Sequence, residues 1–173
     1  MCRVAPGRFF PRIGLPMFNP RYLLALLLSS SSLPALAMQP GDAVHPWTLL
    51  DQFDQPFTLG PDTRVLVVAR SMGSARLFNQ ALEDAPKGFL EARHAAYIAD
   101  VERMPSVARA LAIPAMRSAS YRILLDIEGR VAPRYEGARE GVQWLEVDNG
   151  RLQAERRFDD AVQLRQALDR LGP

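Results

Sequence analysis

Ser71 and Ser74 stand three residues apart where a continuous apolar run ends and an amphipathic one begins, with Arg70 before them and Met72 and Gly73 between. Two hydroxyls at this spacing suggest a nucleophile, and a nucleophilic serine needs a base within hydrogen-bond reach, itself oriented by a third group. The chain has 2 histidines to offer. His45 falls in an N-terminal arm, and His94 opens a strand at the end opposite the serines. No Gly-x-Ser-x-Gly elbow is present. The sequence therefore predicts no catalytic residue here. It predicts a loop in which Ser74 caps the following helix, Gly73 permits the turn and Met72 packs or projects as an apolar contact.

Positive charge surrounds that loop. Arg70 flanks it, while Arg117 and Arg122 approach a later strand. Convergence of Arg70 and Arg117 at the helix N-terminus would make an anion or carboxylate site; the alternative is that they are solvated or pair with Asp100 and Glu102. Asp100, Glu102 and Asp126 are too scattered to predict a metal centre, and no metal-ligating histidine motif or calcium loop supports one. Dinucleotide and phosphate fingerprints are absent too, so no cofactor is expected. The binding candidates are Arg70, Ser71, Met72, Gly73, Ser74, Arg117 and Tyr121. Tyr135, in a turn-rich segment beside Arg134 and Arg139, is expected at the surface, where an aromatic side chain could anchor a protein partner.

These residues must be positioned by the elements around them. Residues 47–51 and 56–59 read as a small hairpin or extended arm, with Pro46 and Pro56 where a central strand would lose a hydrogen bond. Residues 63–69 (TRVLVVA) form an unbroken β-branched run, which suits a strand covered on both faces. A helix is predicted over 74–84, with Leu77, Phe78, Ala81 and Leu82 on one stripe. A strand over 94–98 and a helix over 105–111 follow, with Pro105 in its first turn and Pro114 as its stop. A third strand covers 121–125. Residues 143–147 and 152–158 flank Asp148-Asn149-Gly150, a hairpin signal. Asp159 is expected to cap a final helix with Ala161, Val162, Leu164, Ala167, Leu168 and Leu171 on its apolar side. Long crossovers imply parallel neighbours in the first half, and tight turns imply antiparallel ones later. The result is a mixed sheet with helices on both faces.

The chain has 173 residues, 48% of them hydrophobic. Its first 37 residues carry Arg3, Arg8, Arg12, Arg21 and the single cysteine, Cys2, but no acidic residue. They read as a secretion signal: basic residues, the apolar core 22–28 (YLLALLL), then SSSSLP and the small-x-small triplet Ala35-Leu36-Ala37. Cleavage after Ala37 is expected, with translation starting at Met1 or Met17. The alternative is a retained anchor, but serines and Pro34 break the run short of about 20 apolar residues. Of 21 Lys+Arg and 19 Asp+Glu, the remaining residues hold 17 and 19, for a net charge of −2. That balance gives no reason to expect nucleic-acid binding. No stable membrane insertion is expected after cleavage, and the predicted location is periplasmic or secreted, in a bacterium. One domain over 38–173 is the economical reading, and without a cysteine its core must suffice.

The sequence of strand, helix, strand, helix, then a closing hairpin and helix resembles the thioredoxin-like fold, a three-layer α/β/α sandwich with a mixed central sheet. The resemblance covers 65–171, and the preceding hairpin looks like the N-terminal extension of periplasmic thioredoxins and peroxiredoxins. The segments IADVERMP and IPAMRSASYRILLD resemble small, uncharacterised secreted bacterial proteins of that fold lacking Cys-x-x-Cys. In thioredoxins the first central strand ends in a Cys-x-x-Cys loop, whose helix N-terminus lowers a thiol pKa. The matching loop here is Ser71-Met72-Gly73-Ser74. The cis-proline that precedes a later strand in that family is replaced by Ser120-Tyr121, a junction expected to be trans. The resemblance thus implies fold and location. The absence of cysteine from the mature chain excludes thiol–disulfide and peroxidase chemistry, and what remains is a non-catalytic exported protein that binds a protein or peptide or acts as an accessory. The alternatives are a small-anion or ligand-binding protein, an enzyme with non-thiol chemistry, or an oligomer paired through the 145–158 hairpin edge. Glu155, Arg156 and Arg157 argue mildly against that edge pairing.

Overall fold

One unbroken apolar strand and the apolar stripes of two helices build the centre of the molecule. The computed structural model describes residues 38–135, 137 and 139–172; the leader expected over 1–37 lies outside them. The strand β3 (Val65–Ala69) is buried at every position, as its unbroken apolar run requires. It leads into α1 (Met72–Ala81), then β4 (Ala95–Asp100), α2 (Ser106–Met116) and β5 (Leu124–Asp126). The two crossovers make β3–β4 and β4–β5 parallel. β6 (Val142–Asp148) and β7 (Arg151–Phe158) form an antiparallel hairpin laid antiparallel on β3, and α3 (Ala161–Arg170) closes the chain. Asn149 (φ 49°) and Gly150 (φ 70°) both take positive φ at the hairpin tip, the geometry that matches a two-residue turn to strand twist.

The N-terminal arm is β1 (Thr48–Asp51) paired antiparallel with β2 (Pro56–Thr58). It is part of the sheet, because β1 also pairs with β5, giving the order β2-β1-β5-β4-β3-β6-β7. Only β2, with Pro56, is left at that edge, where a missing N–H costs no ladder bond.

Alternation along β3 divides the interior. Val65, Val67 and Ala69 face a core with Phe78 and Ala81 of α1, its C-cap residue Leu82, and Leu164, Ala167 and Leu168 of α3. Leu66 and Val68 face a second core with Trp47, Leu49, Val131, Ala132 and Tyr135. The second face is closed by a 3-10 turn, Ala132–Arg134. The Asp126 carboxylate holds this turn by accepting the backbone N–H groups of Arg130 (2.9 Å), Val131 (2.8 Å) and Ala132 (2.7 Å).

Several expectations are corrected. Ser71, not Ser74, is the N-cap of α1, which starts at Met72 and ends at Ala81. Asp160, not Asp159, caps α3 by accepting the Gln163 N–H, and Val162 faces solvent. Pro114 does not stop α2; it lies inside it, and Pro105 is the N-cap residue. A proline near the C-terminal end removes one i→i−4 bond and still permits the last turn. Tyr135 is buried, its hydroxyl accepting the Trp47 indole N–H at 2.7 Å. The third strand is shortened to Leu124–Asp126 because a side chain takes the backbone before it: Gln52 donates to the Tyr121 carbonyl (2.9 Å) and accepts from the Ile123 N–H (2.8 Å).

Candidate functional site

Ser71 and Ser74 bind each other and the backbone. Ser71 is extended (φ −147°, ψ 165°), and its hydroxyl accepts the Ser74 N–H at 3.1 Å. The Ser74 hydroxyl accepts the N–H groups of Ser71 (2.9 Å) and Arg70 (3.1 Å), donates to the Ser71 carbonyl (2.9 Å), and lies 3.1 Å from the Ser71 hydroxyl. This reciprocal capping box satisfies donors that a helix start leaves orphaned. It leaves Ser74 only 1% exposed. His94, in the left-handed region at φ 53°, directly precedes β4. β3 and β4 run parallel from Val65↔Ala95 to Ala69↔Ala99, so His94 and the serines lie at opposite ends of the sheet, about 20 Å apart at ~3.3 Å per residue.

Next to this loop opens a cavity of about 880 Å³. α1 forms one wall with Met72, Ala75 and Asn79, continued by its C-cap residue Leu82, a stripe running its whole length. α2 forms the facing wall with Ala108, Ala112 and Ala115 at i, i+4 and i+7, flanked by Met104 and Met116. The small side chains on that face do not reach across the gap, and the space beside them stays unfilled. No residue of α2 is buried. Its Val107 and Leu111 point outward, 75% and 74% exposed.

The floor is aromatic. Tyr97 stacks on Phe78 with ring centroids 3.7 Å apart, and Tyr121 meets Phe78 edge-on at 5.4 Å. The Tyr121 hydroxyl donates to Asn79 Oδ1 at 2.6 Å. Burial raises its pKa to about 12. Burial, reinforced by Tyr121, raises that of Tyr97 as well. Both phenols therefore stay neutral at physiological pH.

The two ends of the cavity differ in charge. At the end near Ser71 the fully buried Asp100 carboxylate receives Arg70 Nε at 3.5 Å and Arg139 Nη2 at 3.3 Å on one oxygen. Its other oxygen accepts the Glu102 N–H at 3.2 Å. Arg103 joins the lining there, whereas Glu83, Ser118 and Ser120 lie toward the other end of α1. Among the described lining residues, two guanidiniums on one carboxylate leave a positive charge in excess at this end, and Arg103 adds to it.

Arg70, Ser71, Met72 and Tyr121 thus line one cavity with Asp100, the carboxylate offered by the sequence as a partner of Arg70, and with Arg103 and Arg139, which the sequence did not group with them. Ser74 is sealed behind the loop. Gly73 lies inside α1, where an added Cβ would meet only the Ser71 hydroxyl at 3.6 Å, so the turn does not require glycine. Arg117 does not converge with Arg70: it donates to the Gln52 carbonyl at 2.8 Å and pairs with Asp54 at 3.4 Å. Arg122 pairs with Asp51 at 3.2 Å. The signal for the missed wall was the Ala108/Ala112/Ala115 spacing. Among the described residues, no group of three or more His, Cys, Asp or Glu is placed to hold a metal ion.

No protein-family model matches the chain, and no curated protein matches it. Solved structures do. A hypothetical protein from Sinorhizobium meliloti 1021 is 21% identical at TM-score 0.55, over 79% of this chain and 85% of its own. The peroxidoxin BcpB from Mycobacterium tuberculosis is 18% identical at 0.52, over 78% and 96%. A peroxiredoxin-like protein from Aquifex aeolicus is 12% identical at 0.50, over 79% and 89%. The fold is thioredoxin-like. At these identities the likeness concerns the fold alone. In a thioredoxin-like chain the loop after the central strand is where a reactive cysteine pair would stand, and here it holds Ser71 and Ser74. With Cys2 the only cysteine, Cys-pair oxidoreductase and peroxidase chemistry is excluded. Among the described residues there is no cis peptide bond, so the Ser120–Tyr121 junction is trans. No described helix is long and apolar enough to cross a membrane.

Proposed function

We propose that the protein is a non-catalytic, exported binding protein of thioredoxin-like fold whose ligand occupies the cavity between α1 and α2. The observation that carries this reading is the cavity itself: about 880 Å³, apolar along its length, with charged groups at its ends. That size and lining suit a small-molecule site. Its place beside a loop whose hydroxyls are committed to helix capping supports binding without chemistry. Export rests on the leader pattern of the first 37 residues.

A thioredoxin-style peptide groove is disfavoured, because Gln52 already pairs with the backbone of Tyr121 and Ile123, where an extended peptide would lie. A protein partner is the second reading, favoured by Met72 (60% exposed) and by the outward Val107 and Leu111. Such a partner would tolerate a filled cavity and lose affinity with Leu111→Asp.

The test uses the uncharged fluorophore N-phenyl-1-naphthylamine. Saturable binding to the parent protein, lost in Ala112→Trp with an unchanged far-ultraviolet circular dichroism spectrum, is the expected result. No binding, or equal binding to both proteins, would refute the cavity as the site.

A further inference from the structure

We propose that the ligand is a single-chain anionic amphiphile: an unbranched aliphatic body lying between α1 and α2, with a carboxylate head at the Arg70–Asp100–Arg139 end. The proposal rests on the cavity being the binding site. Three features of the lining lead to it.

The first is the asymmetry of charge. Among the described residues, Arg70, Arg103 and Arg139 line one end against the single lining carboxylate of Asp100, and the carboxylate lining the other end is Glu83. Arg70 and Arg139 have side chains only 12% and 28% exposed. A carboxylate arriving there would meet guanidiniums already partly withdrawn from water, where charge-assisted bonds are strong. A cationic head is repelled at that end.

The second is the poverty of polar groups between the ends. Asn79 Oδ1 accepts the Tyr121 hydroxyl, which leaves the Asn79 amide N–H groups and the Tyr97 hydroxyl as the polar groups of the middle, and most of the rest is methionine, alanine, leucine, isoleucine and aromatic ring. An occupant carrying many amide or hydroxyl groups along its length would outnumber these few partners and bury the remainder unpaired, which costs free energy. Peptides and sugars are disfavoured on this ground, and a methylene chain is not. Met72, Met104 and Met116 have unbranched, adaptable side chains that mould to such a chain.

The third is length. The α1 stripe spans ten residues, about 15 Å at 1.5 Å per residue, a distance that an extended dodecyl chain covers. Filling the gap would also give α2 the buried contacts it lacks.

The experiment displaces bound N-phenyl-1-naphthylamine from the purified protein with three probes that share one tail: dodecanoate, dodecanol and dodecyltrimethylammonium, each below its micellar concentration. Dodecanoate should bind at least about tenfold more tightly than dodecanol, the difference made by one charge-assisted hydrogen bond, and the ammonium most weakly. Arg70→Gln should bring dodecanoate close to dodecanol, read as the ratio of the two affinities in the same variant. Because that change also strips a partner from Asp100, the rim variant Arg103→Glu is measured beside it and should cut the carboxylate preference severalfold in a folded protein. If the fluorophore binds but the three probes displace it equally, or the ammonium wins, the head assignment is overturned and the cavity reading stands. If the fluorophore does not bind, both fall. Equal binding of dodecanoate to Ala112→Trp would place it outside the cavity and overturn the proposal.

Discussion

At the Ser-Met-Gly-Ser loop, one glycine and two serines exchange the roles that their order suggests. Gly73 is helical and has space for a methyl group, so Gly73→Ala should stabilise the protein by roughly 0.5–1 kcal/mol through backbone entropy, read as a higher urea midpoint. Ser74→Ala removes the oxygen that accepts the N–H groups of Arg70 and Ser71 at a site 1% exposed. Its cost should be about 1–2 kcal/mol, at least as large as that of Ser71→Ala. A serine rich in candidate chemistry is thus the loop's structural keystone. The two hydroxyls stand 3.1 Å apart, and the longer C–S bonds of cysteine would bring two sulfurs nearer still. The double variant Ser71→Cys/Ser74→Cys should therefore close an intrachain disulfide on mild oxidation, seen as two thiols fewer in a titration under denaturing conditions. Failure to close would mean that the loop differs from a redox loop in backbone as well as in side chain. The sequence made the capping function legible, since Ser-x-x-Ser before an amphipathic run offers a cap whichever serine leads. It did not reveal which arginines share a site. Arg70 and Arg139 meet on Asp100 only because β4 delivers that carboxylate, fully buried, to the end of the sheet.

Among the elements, α2 behaves differently from α1 and α3. It buries none of its own residues and carries Pro114 within its span; only Ile113 and Met116 pack partly against the core. Local stability follows buried contacts, so α2 should open without global unfolding. Its amide hydrogens should exchange well before those of α1 and α3. Pro114→Ala restores the missing N–H and should raise protection across α2, yet shift the global urea midpoint little, because the helix opens in a separate step. Equal protection in the three helices would contradict the packing described. Where periodicity was strong, the elements were legible: β3, the β6–β7 hairpin, and the buried stripes of α1 and α3. What failed were features set by distant partners. Pro114 looked like a stop because local rules cannot say that the final turn continues past it. Residues 121–123 looked like strand because their alternation is right, while the backbone there is claimed by Gln52 from the β1–β2 connection. Tyr135 looked exposed because nothing local announces that Trp47, 88 residues earlier in the chain, donates to it.

For the molecule as a whole, both cores are locked by phenols that resist ionisation. Tyr97 and Tyr121 belong to the core under α1, and Tyr135 to the core under the 3-10 turn. Burial raises all three above the ordinary 10.0, Tyr121 to about 12; for Tyr135 the Trp47 hydrogen bond and the Arg134 charge offset only part of the effect. An unfolded tyrosine gives up its proton near pH 10, but these must keep theirs to stay folded. Above that pH the folded state therefore binds more protons than the unfolded state, and stability falls as pH rises. The contribution is fully present below pH 10 and is lost through 12 and beyond, at up to about 1.4 kcal/mol per pH unit for each tyrosine. Urea midpoints should hold level through mildly alkaline pH and then drop, with tyrosinate absorbance rising together with loss of the far-ultraviolet signal. Tyr97→Phe should flatten the fall. Tyr135→Phe should cost about 1–3 kcal/mol even at neutral pH, because the Trp47 N–H is left buried without an acceptor. Phenols that titrate near pH 10 in a protein still folded would show these rings open to water, and the two-core packing would then need revision.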